Sequence, residues 1–151
     1  MANIVLSADF TALPNEVFVF FVPQRMPLWY ATEMDACFEV QGGAPEFAAG
    51  QKVRIAGKLG RREVTLTVVI TAYEWCRSLE WRFQDRYGVK GLQRWDLAPN
   101  AGGPGTRLTM RDSYEMPGAF GRFMDRFFTR HAVARRDRAW LARLRKLVSR
   151  V

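Results

Sequence analysis

Asp112 and His131 are the two side chains in this sequence whose chemistry could act together on a small molecule. Asp112 falls on the apolar side of an alternating segment, Thr106 to Met116, with Tyr114 two positions further on. Five residues of strand before Pro117 span about 17 Å, and fourteen residues of helix after it span about 21 Å, so Asp112 and His131 could meet. A carboxylate that holds one imidazole nitrogen leaves the other free to exchange a proton, as general acid/base catalysts do. The sequence therefore predicts His131, Asp112 and Tyr114 as candidate catalytic residues.

Two alternatives stay open for this pair. His131 can be a core histidine whose ring is satisfied by the backbone or by Tyr114. A one-residue slip of the strand, for instance at a β-bulge, would turn Asp112 to the solvent and Arg111 to the interior. In the predicted position Asp112 needs a partner or water, because an unpaired buried carboxylate is costly.

The composition argues against other chemistries. The 151-residue chain has one histidine and two cysteines, Cys37 and Cys76, whereas mononuclear iron and zinc sites need several suitably spaced ligands. We therefore expect no metal and no cofactor. With 48% apolar and 25% charged residues the chain resembles an ordinary globular domain. It lacks an apolar run of transmembrane length and a basic N-terminal leader, so we expect a cytoplasmic protein with reduced cysteines.

The elements that must position these residues follow from the spacing of apolar side chains. Asn3 to Thr11 alternates as a strand, and Pro14 opens two short helices, over 17–22 and 24–30, separated by Pro23. Six more alternating segments, with turn residues between them, predict antiparallel strands. These strands are Met34 to Val40, Lys52 to Leu59, Glu63 to Glu74, Ser78 to Arg86, Val89 to Leu97 and Thr106 to Met116.

From Gly118 the apolar period changes from two to about 3.6, which predicts a helix over Gly118 to Val148, about 45 Å long. Its apolar stripe consists of Phe120, Phe123, Met124, Phe127, His131 and Ala134, continued after a modest rotation by Leu141, Leu144, Val148 and Val151. No other predicted element is long enough to cover the apolar face of the sheet. We expect one domain, residues 1–151, in which the sheet wraps this helix.

Five short segments, distributed along this order of elements, carry a resemblance to a known family. They are Ala12-Leu13-Pro14-Asn15-Glu16-Val17-Phe18, Pro27-Leu28-Trp29, Trp95-Asp96-Leu97-Ala98-Pro99, Gly105-Thr106-Arg107-Leu108-Thr109 and Leu144-Arg145-Lys146-Leu147. With them the chain resembles the START-like, or SRPBCC, superfamily, and within it the polyketide cyclase/dehydrase and lipid-transport group. The resemblance covers essentially the whole chain. It implies an α+β helix-grip fold: a curved antiparallel sheet of about seven strands around a long C-terminal helix, with two short helices after the first strand.

The resemblance also implies a cavity between sheet and helix that holds a hydrophobic small molecule. Strand alternation and the helix stripe then select the candidate ligand-binding residues, which are Trp29, Tyr30, Ile55, Leu66, Val68, Trp81, Phe83, Gln93, Trp95, Met110, Phe123 and Phe127. We place Trp29 and Tyr30 at one end of the cavity, with residues 41–51 as a flap near it. A plain, filled core would use most of the same residue types.

The implied function is binding of a hydrophobic small molecule, either polyketide-like, a lipid, or another polycyclic or acyl ligand. Cyclases of this superfamily promote aldol ring closure with cavity Arg, Tyr and carboxylate side chains. Here Arg82, Arg94 and Arg111 fall on the outward side of their strands. If the protein is an enzyme, we expect aldol cyclisation and dehydration. The alternatives are a non-catalytic carrier, or a regulatory module that contacts a protein and has a sealed interior.

The net charge of +8 lies entirely in the C-terminal helix. Residues 1–117 hold 13 basic and 13 acidic side chains, and residues 118–151 hold 10 and 2. Trp140 is the single aromatic on the basic face, and no nucleic-acid motif accompanies it. We therefore expect a solvated face with no nucleic-acid partner and no stable membrane association, and a monomer or homodimer. Arg138 and Arg145 project near the apolar stripe.

Overall fold

Alternating apolar residues form seven strands in the computed structural model, which describes residues 2–85, 88–116, 118 and 130–149. The strands are β1 (Ala2–Phe10), β2 (Cys37–Val40), β3 (Lys52–Leu59), β4 (Arg62–Glu74), β5 (Ser78–Asp85), β6 (Lys90–Pro99) and β7 (Thr106–Glu115). They form one antiparallel sheet in the order β1-β7-β6-β5-β4-β3-β2. The expected curved antiparallel sheet is confirmed.

The helical segments are short near the N-terminus and long at the C-terminus. Helix α1 (Pro14–Phe18) begins at its proline, whose fixed φ suits a first turn, and it ends earlier than the predicted 17–22. The second predicted helix is only a 3₁₀ turn, Met26–Leu28, and two more 3₁₀ turns follow, Thr32–Met34 and Gln41–Gly43. Helix α2 (Arg130–Ser149) confirms the C-terminal helix, and the predicted part over 119–129 lies outside the described residues.

The register of β7 decides which polar side chains enter the interior. Its burial alternates along the whole strand, with Asp112 buried and Arg111 exposed, so the slip considered for this strand does not occur. The irregularity lies instead in β4, where the pairing with β5 shifts between Ile70 and Ala72. Because a bulge changes which face the following residues occupy, Val68 and Ile70 are buried before it and Tyr73 is half-buried after it.

A cluster of large aromatic rings fills one half of the interior. Trp81 and Trp95 lie 5.0 Å apart, and Trp29 and Tyr30 pack on Trp95 at 6.0 and 5.8 Å, all with steeply inclined rings. Such edge-to-face pairs add about 0.5–1.5 kcal/mol each to the burial of their apolar surface. The flap predicted over 41–51 is attached to the same cluster, because Phe47 is buried against Trp81.

Helix α2 covers the open face of the sheet with a narrow stripe. Trp140, Leu141, Leu144 and Val148 are buried along it, and so is one carboxyl side chain, Asp137. The helix contacts β1 most extensively among the strands. Its N-terminal half borders a cavity that is also lined by residues of the strands.

Candidate ligand cavity

A cavity of about 260 Å³ lies between the sheet and the N-terminal half of α2. Its lining is mostly aromatic and aliphatic with a few polar groups, and consists of Tyr30, Ala31, Glu33, Met34, Val64, Thr65, Leu66, Phe83, Asp85, Val89, Gln93, Asp112, Tyr114, Met116, Val133, Arg136 and Trp140. Wider hollows of 580 to 740 Å³ open on the surface, where their charged residues are exposed or half-exposed. The smaller cavity is thus the one that meets buried ionisable groups.

Gln93 organises the inner wall of the cavity. It sits directly opposite Trp81 on β5 and Asp112 on β7, so three neighbouring strands present these side chains side by side. Its Oε1 accepts hydrogen bonds from Tyr30 Oη at 2.6 Å and Trp81 Nε1 at 2.9 Å. Its Nε2 donates to Asp112 Oδ2 at 3.3 Å. Burial raises the pKa of Tyr30, so its phenol remains a donor.

Arg136 brings helix α2 into this network. Its Nη2 donates to Asp112 Oδ2 at 3.3 Å and to Asp137 Oδ1 at 3.2 Å, while Nε also reaches Asp137 Oδ1, at 3.3 Å. Its guanidinium lies 4.3 Å from the centre of the Trp140 ring. The side chain keeps 38% of its surface accessible and lines the cavity. One cation therefore joins two carboxyl groups that are themselves buried.

Asp112 and Asp137 form a buried carboxyl pair on either side of the Arg136 guanidinium. Both side chains are at most 1% exposed, and each has one oxygen, Asp112 Oδ1 and Asp137 Oδ2, without another partner among the described residues. Burial, followed by the hydrogen bond and the charge of Asp112, raises the pKa of Asp137 to about 9. Two carboxylates beside one guanidinium cannot both ionise cheaply, so Asp137 is the acid of the pair at neutral pH.

Glu33 and Trp140 close the cavity on the side of the 3₁₀ turn. Trp140 Nε1 donates to Glu33 Oε2 at 2.8 Å, and the Trp140 and Tyr30 rings lie 4.4 Å apart. The residues that flank this turn, Ala31 and Asp35, adopt left-handed φ angles of 53° and 51°, which non-glycine residues rarely do. The turn is thus held against α2 by specific side-chain contacts.

The predicted ligand-binding residues divide between this cavity and the filled half of the interior. Tyr30, Leu66, Phe83 and Gln93 line the cavity. The others that the structure describes are buried in the neighbouring core cluster and are not part of the cavity lining; these are Trp29, Ile55, Val68, Trp81, Trp95 and Met110. Phe123 and Phe127 lie outside the described residues.

Of the predicted catalytic residues, Asp112 and Tyr114 line the cavity and His131 does not. His131 is exposed, so the expected pairing with Asp112 is wrong, and so is the alternative of a core histidine. The reason is helical phase. At 100° per residue, His131 lies about 120° around α2 from Asp137, which is in the buried stripe. The partner of Asp112 is Arg136 instead.

Sequence reasoning missed Arg136, Asp137 and Trp140 because they stand in a strongly basic run. The basic face that carries Trp140 was expected to be solvated, yet Trp140 is 3% exposed. A signal was present: steps of three and four residues back from Leu144 lead to Trp140, Asp137 and Val133. Arg138 and Arg145, which were expected to project near the apolar stripe, are exposed beside β1 and are not among the described residues that line the cavity.

Arg94 and Arg111 lie outside the cavity lining, as their outward register predicted, and they take part in an ion-pair network. Arg94 pairs with Glu80 and Asp96 at 2.9 Å, and Arg111 lies 3.8 Å from Asp96. Within the described residues no group of three or more His, Cys, Asp or Glu side chains could hold a metal ion. Cys37 and Cys76 are free thiols. No described helix is long and apolar enough to cross a membrane.

The fold and its cavity define a helix-grip protein, and comparisons identify the family. The sequence matches, over residues 1–149, the family described as polyketide cyclase / dehydrase and lipid transport. The chain therefore belongs to this family, whose fold binds hydrophobic ligands. A comparison with curated proteins finds no significant match.

Solved structures share the fold at low sequence identity. DynU16, a protein in the dynemicin biosynthetic locus, is 19% identical with a TM-score of 0.70 over 97% of this chain and 47% of DynU16. This chain thus spans about half of DynU16. Protein MLL2253 of Mesorhizobium loti is 15% identical (TM-score 0.75; 99% and 98% of the two chains), and a protein of Arthrobacter aurescens is 18% identical (0.75; 99% and 87%).

Proposed function

We propose that the protein binds a hydrophobic, carbonyl-bearing small molecule in the cavity and catalyses a cyclisation or dehydration step by acid/base chemistry. The observation that carries the proposal is the buried Asp112–Asp137 pair, which Arg136 joins at the cavity wall and in which burial raises the pKa of Asp137. In a pair made of a neutral carboxylic acid and a carboxylate, the acid can supply a proton and the carboxylate can accept one. Membership of the polyketide cyclase / dehydrase family supports the same reaction class.

In the proposed reaction Asp112 removes a proton from the carbon next to a ligand carbonyl. The electron pair of that C–H bond moves to the carbonyl oxygen as an enolate. Arg136 can donate to this oxygen, since its Nη1 forms no hydrogen bond to any described residue. The enolate carbon then bonds to a second carbonyl carbon of the same molecule. The alkoxide formed there takes the proton back from the carboxyl pair, and loss of this hydroxyl with another α-proton releases water.

The volume limits the size of the ligand. An apolar cavity of about 150 Å³ holds a benzene molecule, and sites for drug-sized ligands begin near 300 Å³. At about 260 Å³ this cavity takes one or two fused rings, or a short folded chain of similar volume. Longer polycyclic or acyl ligands would have to displace the 3₁₀ turn at Thr32–Met34.

A carrier without chemistry is the second candidate, and one observation favours it. Asp112 Oδ2 already accepts hydrogen bonds from both Gln93 and Arg136, as a purely structural carboxylate would. The regulatory alternative requires a sealed interior, and the open cavity argues against it. Enzyme and carrier therefore have to be separated by measuring proton transfer and affinity on the same ligand.

Exchange of α-protons for deuterium makes that separation. Benzoylacetone, a one-ring β-diketone, is incubated with the protein in D₂O, and NMR follows loss of its methylene signal while fluorescence titration gives the affinity. We expect exchange above the buffer rate, and a fall of at least 30-fold in the protein-dependent rate for Asp112→Asn with affinity within threefold. Asp9→Asn, an exposed carboxylate on β1, is the matched control and should exchange like the wild type. Binding without protein-dependent exchange would establish a carrier, and no binding would contradict both candidates.

A further inference from the structure

The described lining of the cavity has a charge opposite in sign to that of the whole protein. Its described lining includes three carboxyl side chains, Glu33, Asp85 and Asp112, against the single cation Arg136. Asp85 has further partners, and without it Glu33 and Asp112, when ionised, exceed the cation Arg136 by one negative charge, whereas the chain as a whole carries +8. An anionic ligand that entered from solvent would therefore face an unfavourable potential at the binding position itself.

The one cation in this lining is already committed. Arg136 contacts Asp112 at 3.3 Å and Asp137 at 3.2 Å, and the face of its guanidinium lies on Trp140. A ligand carboxylate that accepted from the free Nη1 would add a negative charge beside Asp112 with the same cation to compensate both, and one that displaced Asp112 would break a buried ion pair. Breaking a buried ion pair costs more than forming a new one returns, because one charge is left uncompensated.

A cationic ligand gains little from this negative lining, because the groups that would receive it are already engaged. The aromatic face that would receive it, the Trp140 ring, holds the Arg136 guanidinium at 4.3 Å. Glu33 is engaged by Trp140 Nε1, and Asp85 Oδ1 accepts the backbone N–H of Val89 at 2.9 Å. An ammonium group placed among these groups would lie next to a like charge in a partly desolvated site.

We propose that the cavity selects uncharged ligands of one or two rings bearing a carbonyl oxygen, and discriminates against carboxylates such as fatty or aromatic acids. This inference rests on the proposed function only in taking the cavity as the binding site. The carbonyl oxygen of an uncharged ligand can accept a hydrogen bond from Arg136 without disturbing its two carboxyl partners. Charge selection thereby narrows the ligand class from hydrophobic molecules in general to neutral ketones and related compounds.

Three probes of nearly equal shape test the proposal on the wild-type protein: 2-acetylnaphthalene, 2-naphthoate and 2-naphthylmethylammonium. Their affinities are measured at pH 7 by titration of tryptophan fluorescence. We expect the ketone to bind at least tenfold more tightly than either ion. Equal or tighter binding of the carboxylate or of the ammonium would overturn the charge selection alone. Failure of all three to bind would contradict the cavity as a ligand site, and the charge selection with it.

Two variants locate the selection in the named charges. Glu33→Gln keeps the acceptor for Trp140 Nε1 and removes one exposed carboxylate from the lining, so the ratio of naphthoate to ketone dissociation constants should fall at least threefold. Glu39→Gln, an exposed carboxylate on β2 that pairs with Arg54, is the matched control and should leave the ratio unchanged. Equal effects of the two variants, or no effect of Glu33→Gln, would overturn the proposal.

Discussion

Replacing Asp137 by Asn is expected to make the fold progressively more stable than the wild type as the pH rises from 5 to 8. In the folded protein the pKa of Asp137 is raised to about 9, mainly by burial, while an unfolded aspartate titrates near 3.9. Between these values the folded state holds a proton that the unfolded state has released. The free energy of unfolding contributed by this group is thus fully present below pH 3.9 and is lost as the pH rises towards 9.

The magnitude follows from the width of that window. Each pH unit inside it changes the difference in unfolding free energy by about 1.4 kcal/mol, so three units give about 4 kcal/mol. An asparagine has no such proton to lose. Its amide can donate to Asp112 where the carboxylic acid does, and its oxygen can accept from Arg136, so the contacts of the pair are kept.

Urea unfolding of both proteins at pH 5, 6, 7 and 8, followed by far-UV circular dichroism, measures this difference directly. Asp9→Asn serves as control: the hydrogen bond from Arg107 holds the pKa of Asp9 below its usual range, so Asp9 is ionised in both states throughout this window. Its effect should not vary with pH. If the unfolding free energies of wild type and Asp137→Asn changed with pH in parallel, the raised pKa of Asp137 would be refuted. A variant that gained stability over wild type towards acid pH would reverse the expected sign of the effect.

Three further substitutions test the packing around the cavity by chemical denaturation. Gly91→Ala should destabilise by about 1–3 kcal/mol, because the new methyl group collides with the backbone oxygen of Ser113 and lies 2.8 Å from the Phe83 ring; a neutral outcome would contradict this close approach. Tyr30→Phe removes the 2.6 Å hydrogen bond to Gln93 and should cost about 1 kcal/mol. His131→Ala should stay within about 0.5 kcal/mol of wild type, since the side chain is exposed, and a larger loss would restore a buried role for it.

The fold was accessible from the sequence because its signals are local. Strand alternation, the glycine and proline turns and the change of period after Pro117 each depend on neighbours a few residues away. The errors are local as well. The strand expected from Met34 begins at Cys37, because Thr32–Met34 forms a 3₁₀ turn that ends at Asp35 in a left-handed conformation. A left-handed turn residue is easier to predict from the sequence when it is a glycine than when, as here, it is an aspartate.

The site was less accessible, because it depends on the rotation of one helix. The placement of Asp112 required only the register of β7, which the sequence predicts. To identify the partner of Asp112, the helical phase of α2 had to be known. The prediction continued the phase of Phe127 and His131 along the helix, whereas Leu141, Leu144 and Val148 set a different phase for the described part. An error of one third of a turn exchanges an exposed histidine for a buried aspartate. Composition gave no warning, since Asp137 lies between two arginines.

The raised pKa of Asp137 connects the stability experiment with the ligand experiment. If Asp137 were ionised, one more negative charge would lie beside the single cation Arg136, and the potential in the cavity would be more negative. Burying such a charge without a partner is expensive, and the arrangement avoids this by keeping Asp137 neutral and Arg136 between the two carboxyls. The pH dependence of Asp137→Asn, measured with no ligand present, therefore fixes the charge of the site. A neutral Asp137 agrees with the proposed roles, in which Asp112 is the base at the cavity wall and Arg136 donates a hydrogen bond to an uncharged carbonyl oxygen.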